Sequence, residues 1–496
     1  MRERVKVPPS QVVIDYIFQP RLEHDSRDSF EPLMDLNRAH VVMLVDRKIV
    51  SREKASQLMR IMEEVRQAGA GAITWDPALE EVYYNLEVHI LAKAGSAVGG
   101  QMHTARSRND LFAALSRMST RKQLLKVAGW LEETRQTLLQ RAEAHAETIV
   151  TGYTHMQAAQ PTTLGHYFHA LAHALERDDI RLQQAYEIVN RCPLGACAFN
   201  ATGFPIDRQQ LAELTGFDGI VENSIDAVAT RDYVPQVLSA LAIMGVNLSR
   251  LAQDLYIWCT DEFGWIEVGD DVAATSSIMP QKKNPITLEH IRGKAGHLIG
   301  ALVGALTAQK GVLYSHLRDI SFESTHPLAE GFHQAEAVLR LTTATLASLM
   351  VKGDKAEARA AENFSTVTEL ADVLVRERGL SFREAHSVVG AAVGELADGG
   401  GRTKDLTMDL LDRMSQERLG RALGLSAASL ARALSPKENV AVRSGEGGPA
   451  PAEVRRSVTE SRKRLATHGV WWRQKAEKLE VARRRLDAAA TELARP

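Results

Sequence analysis

The chain has 496 residues, of which 45% are hydrophobic and 25% are charged, and this ordinary globular composition predicts roughly two to four domains with a sizeable core. Its 60 basic and 62 acidic residues give a net charge of -2, which excludes a broad basic face and argues against nucleic acid as a partner. No signal-like N-terminus and no run of about 18 apolar residues is present, so no membrane contact is expected.

The three cysteines, Cys192, Cys197 and Cys259, follow no pairing pattern. An odd count of this kind predicts free thiols in a reducing compartment. Cys192 and Cys197 also lack the second pair of ligands that a zinc site would need. The sequence therefore predicts a cytoplasmic protein that holds no metal.

Long stretches without proline predict a mostly helical chain. No proline occurs between Pro77 and Pro161 or between Pro327 and Pro436, and both intervals are rich in Ala, Leu, Glu and Arg. An apolar stripe with helical spacing runs from Leu241 to Trp258. Helices longer than one subunit's core requires suggest a bundle completed by other subunits.

We divide the chain into three predicted domains. Residues 1–108 form a mostly helical N-terminal domain of shorter elements. Residues 109–361 form a central domain of long helices and carry a polar loop at 270–285, named here the signature loop. Residues 362–496 form a small helical C-terminal domain with Gly-rich loops and a final charged helix after Pro451.

The first polar segment is HTARSRND, residues 103–110. Arg106, Arg108 and Asn109 lie just before a predicted helix, for which Asn109 or Asp110 is the expected N-cap. Taken alone, the segment could be a solvated turn that caps a helix. Guanidinium and amide donors at a helix N-terminus would equally suit a carboxylate ligand.

The second polar segment is GYTHMQAAQP, residues 152–161, which contains Thr154, His155 and Gln157. A lone histidine is more often structural than catalytic, and the glutamines could satisfy buried backbone groups. The signature loop contains TSSIMPQKKN, residues 275–284, whose hydroxyls, cations and amide could equally belong to a flexible surface loop. Neither segment decides the function by itself.

Together the three segments resemble a known set of motifs. TSSIMPQKKNP is similar to the G-S-S-x-M-P-x-K-x-N signature of the fumarase/aspartase superfamily. HTARSRND and GYTHMQAAQP resemble the H-T-G-R-S-R-N-D and G-Y-T-H-x-Q-x-A-Q-P motifs of its argininosuccinate lyase branch. Residues 202–234 and 382–390 are also similar to that branch, so the resemblance covers most of the chain, from about residue 31 to about 455.

The resemblance implies an all-α, three-domain subunit and a homotetramer with a twenty-helix core, in which three subunits build each active site. It implies a carbon–nitrogen lyase that eliminates fumarate from an N-succinyl amine without metal or organic cofactor. The abstracted proton lies next to a carboxylate, so the intermediate is a doubly charged aci-carboxylate. Stabilising it requires donors that act more strongly on the dianion than on the substrate.

The resemblance also implies residue roles. Ser276 is the base, activated by backbone N–H groups and by Lys282 in a closed, dry loop. His155 and Glu289 form a pair for positioning and charge stabilisation, and the loop around Met279 closes over the substrate. The remaining substrate-binding residues are Arg108, Asn109, Thr154, Gln157, Ser277, Asn284 and Tyr314.

The chain departs from the argininosuccinate lyase pattern where the amine half would bind. Leu36-Asn37 replace a Gly-Ser pair, and Tyr83 replaces the histidine of an E-D-[IV]-H element. The segment 314–322 keeps Tyr314 but loses a glutamine and a final lysine. His316 and Arg318 are candidates to meet a distal carboxylate, or are simply exposed charges at a helix end.

The altered pocket is similar to that of lyases acting on ethylenediamine-N,N'-disuccinate (EDDS), which yield fumarate and N-(2-aminoethyl)aspartate. EDDS is therefore the expected substrate. A divergent argininosuccinate lyase, releasing arginine, is the alternative. A non-catalytic structural protein, like the family's lens crystallins, is disfavoured because Ser276, Lys282, Asn284 and His155 are all present.

Overall fold

The computed structural model describes residues 4, 5 and 7–495. Helices dominate this part of the chain, and its strands are short and form three separate pairs. The predicted all-α fold is therefore confirmed. Short 3-10 or π turns fill several connections: Ile14–Phe18, Ala70–Ala72, Pro77–Leu79, Gly100–His103, Asp270–Val272, Asp319–Glu323 and Thr403–Asp405.

The N-terminal region packs short helices around its own apolar core. Leu33, Met34 and Tyr83 are fully buried there, and Leu486 and Leu493 from the far end of the chain complete the core. Its helices are α1 Gln11–Val13, α2 Gln19–Asp28, α3 Phe30–Asp46, α4 Arg52–Ala68, α5 Val82–Ala94 and α6 Ser96–Gly99.

The central region contains the long helices. Its helices are α7 Arg108–Ala144, α8 Leu164–Val189, α9 Arg208–Leu214, α10 Ser224–Ala229, α11 Tyr233–Trp258, α12 Ile286–Gln309 and α13 Pro327–Ser348. One continuous apolar core joins α7, α8, α11, α12 and α13, and the predicted stripe from Leu241 to Trp258 is buried in it. At 1.5 Å per residue, the 37 residues of α7 span about 55 Å.

The long helices alternate in direction, which gives the bundle two distinct ends. At the end where α7 begins, named here the start end, Ser116 contacts Tyr233 of α11 and Gln309 of α12 donates to the Arg231 carbonyl. At the other end, named the hairpin end, α7 and α8 are joined by a β-hairpin, and Arg141 donates to the Leu349 carbonyl after α13.

The strands are confined to the hairpin end. Strands β1 Ile149–Thr154 and β2 Gln157–Thr163 form the hairpin. β3 Ile266–Glu267 pairs with β6 Met350–Val351, and β4 Ala274–Thr275 pairs with β5 Lys283–Asn284. The last pair closes the base of the signature loop.

The C-terminal part contains a small helical unit and one very long helix. Its helices are α14 Gly353–Glu362, α15 Val367–Arg378, α16 Phe382–Asp398, α17 Met408–Leu419, α18 Ala427–Leu434, α19 Pro436–Ala441 and α20 Pro451–Ala494. The small unit has a separate core around Leu370, Leu374 and Leu411. Helix α20 packs instead on α7, α8, α3 and α4. The predicted domain boundaries after residues 108 and 361 remain a proposal.

One helix of the described chain is long and apolar enough to cross a membrane. It is α11, and 56% of its most apolar 18-residue window is buried inside the protein. Because Leu241, Met244 and Leu248 of this helix lie in the bundle core, the apolar character is explained by packing. A buried core helix passes the same test as a membrane span.

Candidate active site

The first polar segment begins α7 through a capping box. Ser107 Oγ accepts from the Asn109 N–H, and the Asp110 carboxylate accepts from the Ser107 N–H. The expectation that Asn109 or Asp110 is the N-cap is therefore wrong. Ser107 has the extended backbone that an N-cap requires, whereas Asn109 and Asp110 already lie inside the helix.

Asp110 ties this helix start to the segment that follows α8. Its carboxylate also accepts from the N–H groups of Gly195, at 3.0 Å, and Cys197, at 2.9 Å. The side chain is fully buried, and this burial raises its pKa to about 6 despite the three backbone donors. Asp110 therefore holds the start of α7, with Arg108 and Asn109, against the segment that contains Gly195 and Cys197.

Arg108 lies against two carboxylates of the segment before α5. Its Nη1 is 2.7 Å from Glu81 and 3.2 Å from Glu80, and its guanidinium stacks over Tyr84 at 4.0 Å. These ion pairs use Nη1, and within the described residues Nε and Nη2 have no hydrogen-bond acceptor. Asn109 donates through Nδ2 to the Ala198 carbonyl at 3.0 Å.

The second polar segment occupies the tip of the hairpin. His155 and Met156 form its two-residue turn, and both have positive φ, of 53° and 59°, as a type I′ turn requires. Thr154 and Gln157 are paired across the strands, and the side chains of Thr154, His155 and Gln157 are exposed. The hairpin thus presents these three groups outward, away from the bundle core.

The predicted pair of His155 and Glu289 does not form within one chain. Glu289 lies in the first turn of α12 and accepts from the Tyr256 hydroxyl at 3.2 Å. Within the described residues, His155 has no hydrogen bond or ion pair. The pairing therefore stays a prediction that requires a second chain.

In the signature loop, Ser276 Oγ accepts two backbone hydrogen bonds. The donors are the N–H groups of Ile278, at 3.3 Å, and Met279, at 3.0 Å. Both would stabilise negative charge on Oγ, as the expected base requires. Ser277, Met279 and Lys282 are exposed, so the loop is open in the single chain.

The two adjacent lysines of the loop have different environments. Lys283 forms ion pairs with Glu267, at 3.0 Å, and Asp270, at 2.6 Å. In the part of the chain that the structure describes, the Lys282 side chain has no such partner. Asn284 lies beside them in β5, paired with Ala274. Lys282 is therefore the cation that remains available to a ligand.

Tyr314, His316 and Arg318 lie at the start end, near Arg108. Arg318 is 3.7 Å from the same Glu81 carboxylate that pairs with Arg108. The Tyr314 hydroxyl donates to Asp226, which raises the tyrosine pKa to about 12. Burial, together with the charges of Arg231 and Arg318, lowers the pKa of His316 to about 4.

The structure also reveals a buried network that motif reading missed. Arg106 Nη2 donates to Asn37 Oδ1 at 2.7 Å and to the Tyr83 hydroxyl at 3.3 Å, and Tyr83 is 2.8 Å from His103 Nδ1. Asn37 and Tyr83 are two of the positions that depart from the argininosuccinate lyase pattern. That both positions differ from the family pattern was the one sign in the sequence that Asn37 and Tyr83 are in contact with a common partner.

The segments thus fall at opposite ends of one chain. Arg108, Asn109 and Tyr314 lie at the start end, whereas the hairpin tip and the signature loop lie at the hairpin end, about the length of α7 away. Within the described residues no hydrogen bond or ion pair joins one polar segment to another. A single subunit therefore does not contain the predicted site.

A cavity outside the polar segments lies between two of the long helices. It encloses about 380 Å³ between α8 and α20, and its lining includes His166, His169, His173, Arg456 and Arg464. The two arginines are already paired, with Glu453 and Glu176. None of the predicted site residues lines this cavity.

Comparison with known proteins identifies the chain. Residues 36–300 match a family described as lyase, and residues 364–441 match the argininosuccinate lyase C-terminal family. The chain is 43% identical over 464 residues to argininosuccinate lyase 1 of Shouchella clausii, covering 94% of this chain and 93% of that protein. It is 40% identical over 439 residues to argininosuccinate lyase of Methanosarcina barkeri, covering 88% and 87%.

Solved structures of related proteins support the same family. The crystal structure of EDDS lyase in complex with formate superposes with a TM-score of 0.88 at 32% identity, covering 99% of this chain and 97% of that one. A lactonizing enzyme of Pseudomonas putida that acts on 3-carboxy-cis,cis-muconate shares the fold alone, with a TM-score of 0.71 at 18% identity. The fold and these matches define a fumarate-releasing carbon–nitrogen lyase. The chain belongs to the argininosuccinate lyase branch of the fumarase/aspartase superfamily.

Proposed function

We propose that the substrate is an N-substituted aspartate whose amine half carries a further carboxylate, with EDDS as the best candidate. One observation carries this proposal, namely the group of cations at the start end. Arg108 and Arg318 lie on either side of one carboxylate, with Arg108 2.7 Å and Arg318 3.7 Å from Glu81, so two guanidinium groups meet at this end. Such a group favours a ligand with several carboxylates.

We propose that the active site forms between subunits of a cytoplasmic homotetramer. Exposed apolar side chains lie along two bundle helices: Ile243 and Val246 on α11, and Ile299, Val303 and Leu306 on α12. A stripe of this kind is expected to pack against another chain. Two chains that pack in antiparallel fashion would bring the start end of one beside the hairpin end of the other.

We propose that Ser276 takes the proton from the carbon next to one carboxylate of the succinyl group. The electron pair moves into that carboxylate, giving the aci-carboxylate dianion, which Lys282, Asn284, Thr154 and Ser277 stabilise. Arg108 and Asn109 hold the other carboxylate. The dianion then expels the amine by breaking the carbon–nitrogen bond, and the double bond of fumarate forms. The amine leaves protonated, or takes a proton from water.

Argininosuccinate is the second candidate substrate. The observation in its favour is that relatives with 43% and 40% identity are named argininosuccinate lyases. The altered positions Asn37 and Tyr83 argue against it, because both accept hydrogen bonds from the buried Arg106, two residues before Arg108. A purely structural role is opposed by the complete set of donors.

The two substrates are distinguished by fumarate release. We expect ultraviolet absorbance of fumarate to rise when the purified protein is given EDDS, and to rise much more slowly with argininosuccinate. A chelator should leave the rate unchanged, because no step uses a metal. Turnover of argininosuccinate alone would refute the proposed substrate, and no fumarate from any N-succinyl amine would support the structural role.

A further inference from the structure

The base of the signature loop is held by very few contacts. The strand pair that closes it is two residues long on each side, with Ala274 opposite Asn284 and Thr275 opposite Lys283. Between these strands, Ser277, Ile278 and Lys282 are exposed, and Ile278 reaches 83%. A short strand pair alone is weak support for a loop that carries a base.

A chain of ion pairs supplements this strand pair. Lys283 Nζ is 3.0 Å from Glu267 and 2.6 Å from Asp270, and Lys352 Nζ is 2.9 Å from the same Glu267. Glu267 lies in β3 and is paired with Met350 just after α13. The loop is therefore connected through Glu267 to the body of the bundle. Hydrogen bonds from Lys352 and Lys283 lower the pKa of Glu267, so it is ionised at neutral pH.

The position of Lys283 links this connection to the chemistry of the site. Successive side chains of a strand point to opposite faces. Because Lys283 is held toward Glu267, its strand neighbour Asn284 is directed to the other face, and Lys282 immediately precedes the strand. These two neighbours are the donors assigned to the aci-carboxylate, whereas Lys283 has both of its described contacts within the protein.

We infer that Glu267 and Lys283 are positioning residues for the lyase reaction. Their ion pair fastens the signature loop, which places Lys282, Asn284 and Ser276 correctly against the substrate. This inference rests on the proposed function. Arg108 and Thr154 bind substrate from other segments and do not depend on the fastening. Loss of the Glu267–Lys283 pair therefore reduces kcat far more than it changes KM.

The fold does not depend on this pair. The side chains of Lys283 and Glu267 are 27% and 39% exposed, and ion pairs of such exposure contribute little to stability. Variants at either position are therefore expected to fold and assemble. Glu395 is a matched control, because it forms a comparable ion pair with Arg413, at 2.6 Å, far along the chain in the C-terminal unit.

The test compares steady-state kinetics of Glu267→Gln, Lys283→Met, Lys283→Arg and the control Glu395→Gln. Because small misplacement of reacting groups is costly, we expect the first two variants to lose about tenfold in kcat with KM changed less than about threefold. Lys283→Arg should retain most of the activity, and Glu395→Gln all of it. Thermal midpoints and oligomer size should match the wild type in all four.

The possible results separate this inference from the proposed function. The inference is overturned if Glu267→Gln and Lys283→Met both keep the wild-type kcat. It is also overturned if Lys283→Arg loses as much kcat as Lys283→Met does. A parallel assay of Ser276→Ala tests the proposed function itself. If Ser276→Ala is inactive while both fastening variants run at the wild-type rate, the inference alone fails.

Discussion

Replacing Ser276 by alanine is expected to abolish fumarate release while the protein stays folded and oligomeric. General base catalysis contributes about 10²–10⁴-fold, and no other group of the loop accepts two backbone N–H donors as Ser276 Oγ does. The rate should therefore fall at least about 10²-fold. The measurement is initial-rate ultraviolet assay of fumarate, with oligomer size checked by light scattering.

A matched control removes an exposed hydroxyl elsewhere. Ser444→Ala lies in the Gly-rich loop before α20 and should retain the wild-type rate. Retention of more than a few per cent of the rate by Ser276→Ala would remove Ser276 from the role of base. The identity of the base would then have to be sought among groups contributed by neighbouring chains.

The second large effect is expected at Lys282. In the described residues its side chain lacks any protein partner, so its charge is free to act on the aci-carboxylate. Removing one donor aimed at a developing charge costs about 10²–10³-fold in kcat, and we expect Lys282→Met to lose that much. Initial rates at saturating substrate measure this loss directly.

The control for this variant is Lys404→Met, which removes an exposed lysine from the C-terminal unit. It should leave kcat unchanged. A loss below about threefold in Lys282→Met would contradict the assignment, since an oxyanion donor contributes far more than that. A rise in KM that exceeds the fall in kcat would instead indicate that Lys282 binds the substrate in its ground state.

Much of the fold was predictable from local sequence. The apolar stripe from Leu241 to Trp258 forms the buried face of α11 as expected. The proline-free interval after Pro77 is not helical throughout, because Thr148-Ile149-Val150-Thr151 is a β-branched run that favours the hairpin. The cap of α7 was misassigned because Asn and Asp are also good caps, and only the backbone geometry identifies Ser107.

The site was predictable to a lesser extent. The roles of Ser276, Lys282 and Arg108 came from motif resemblance, since each of their segments could equally be a surface turn. The contact of Arg108 with Glu81 and that of Tyr314 with Asp226 join residues far apart in sequence, which no local pattern encodes. We propose that the segments converge between subunits, and neither a motif nor the structure of one chain contains such a convergence.

Mixing two inactive variants tests this convergence most directly. Ser276→Ala and Arg108→Ala each damage a different end of the subunit, so each homo-oligomer should be inactive. If sites draw these residues from different chains, dissociating and reassembling an equal mixture should restore about one quarter of the wild-type rate, because about one site in four receives both intact residues. If every reassembled mixture stays as inactive as the separate variants, the site is not shared between subunits.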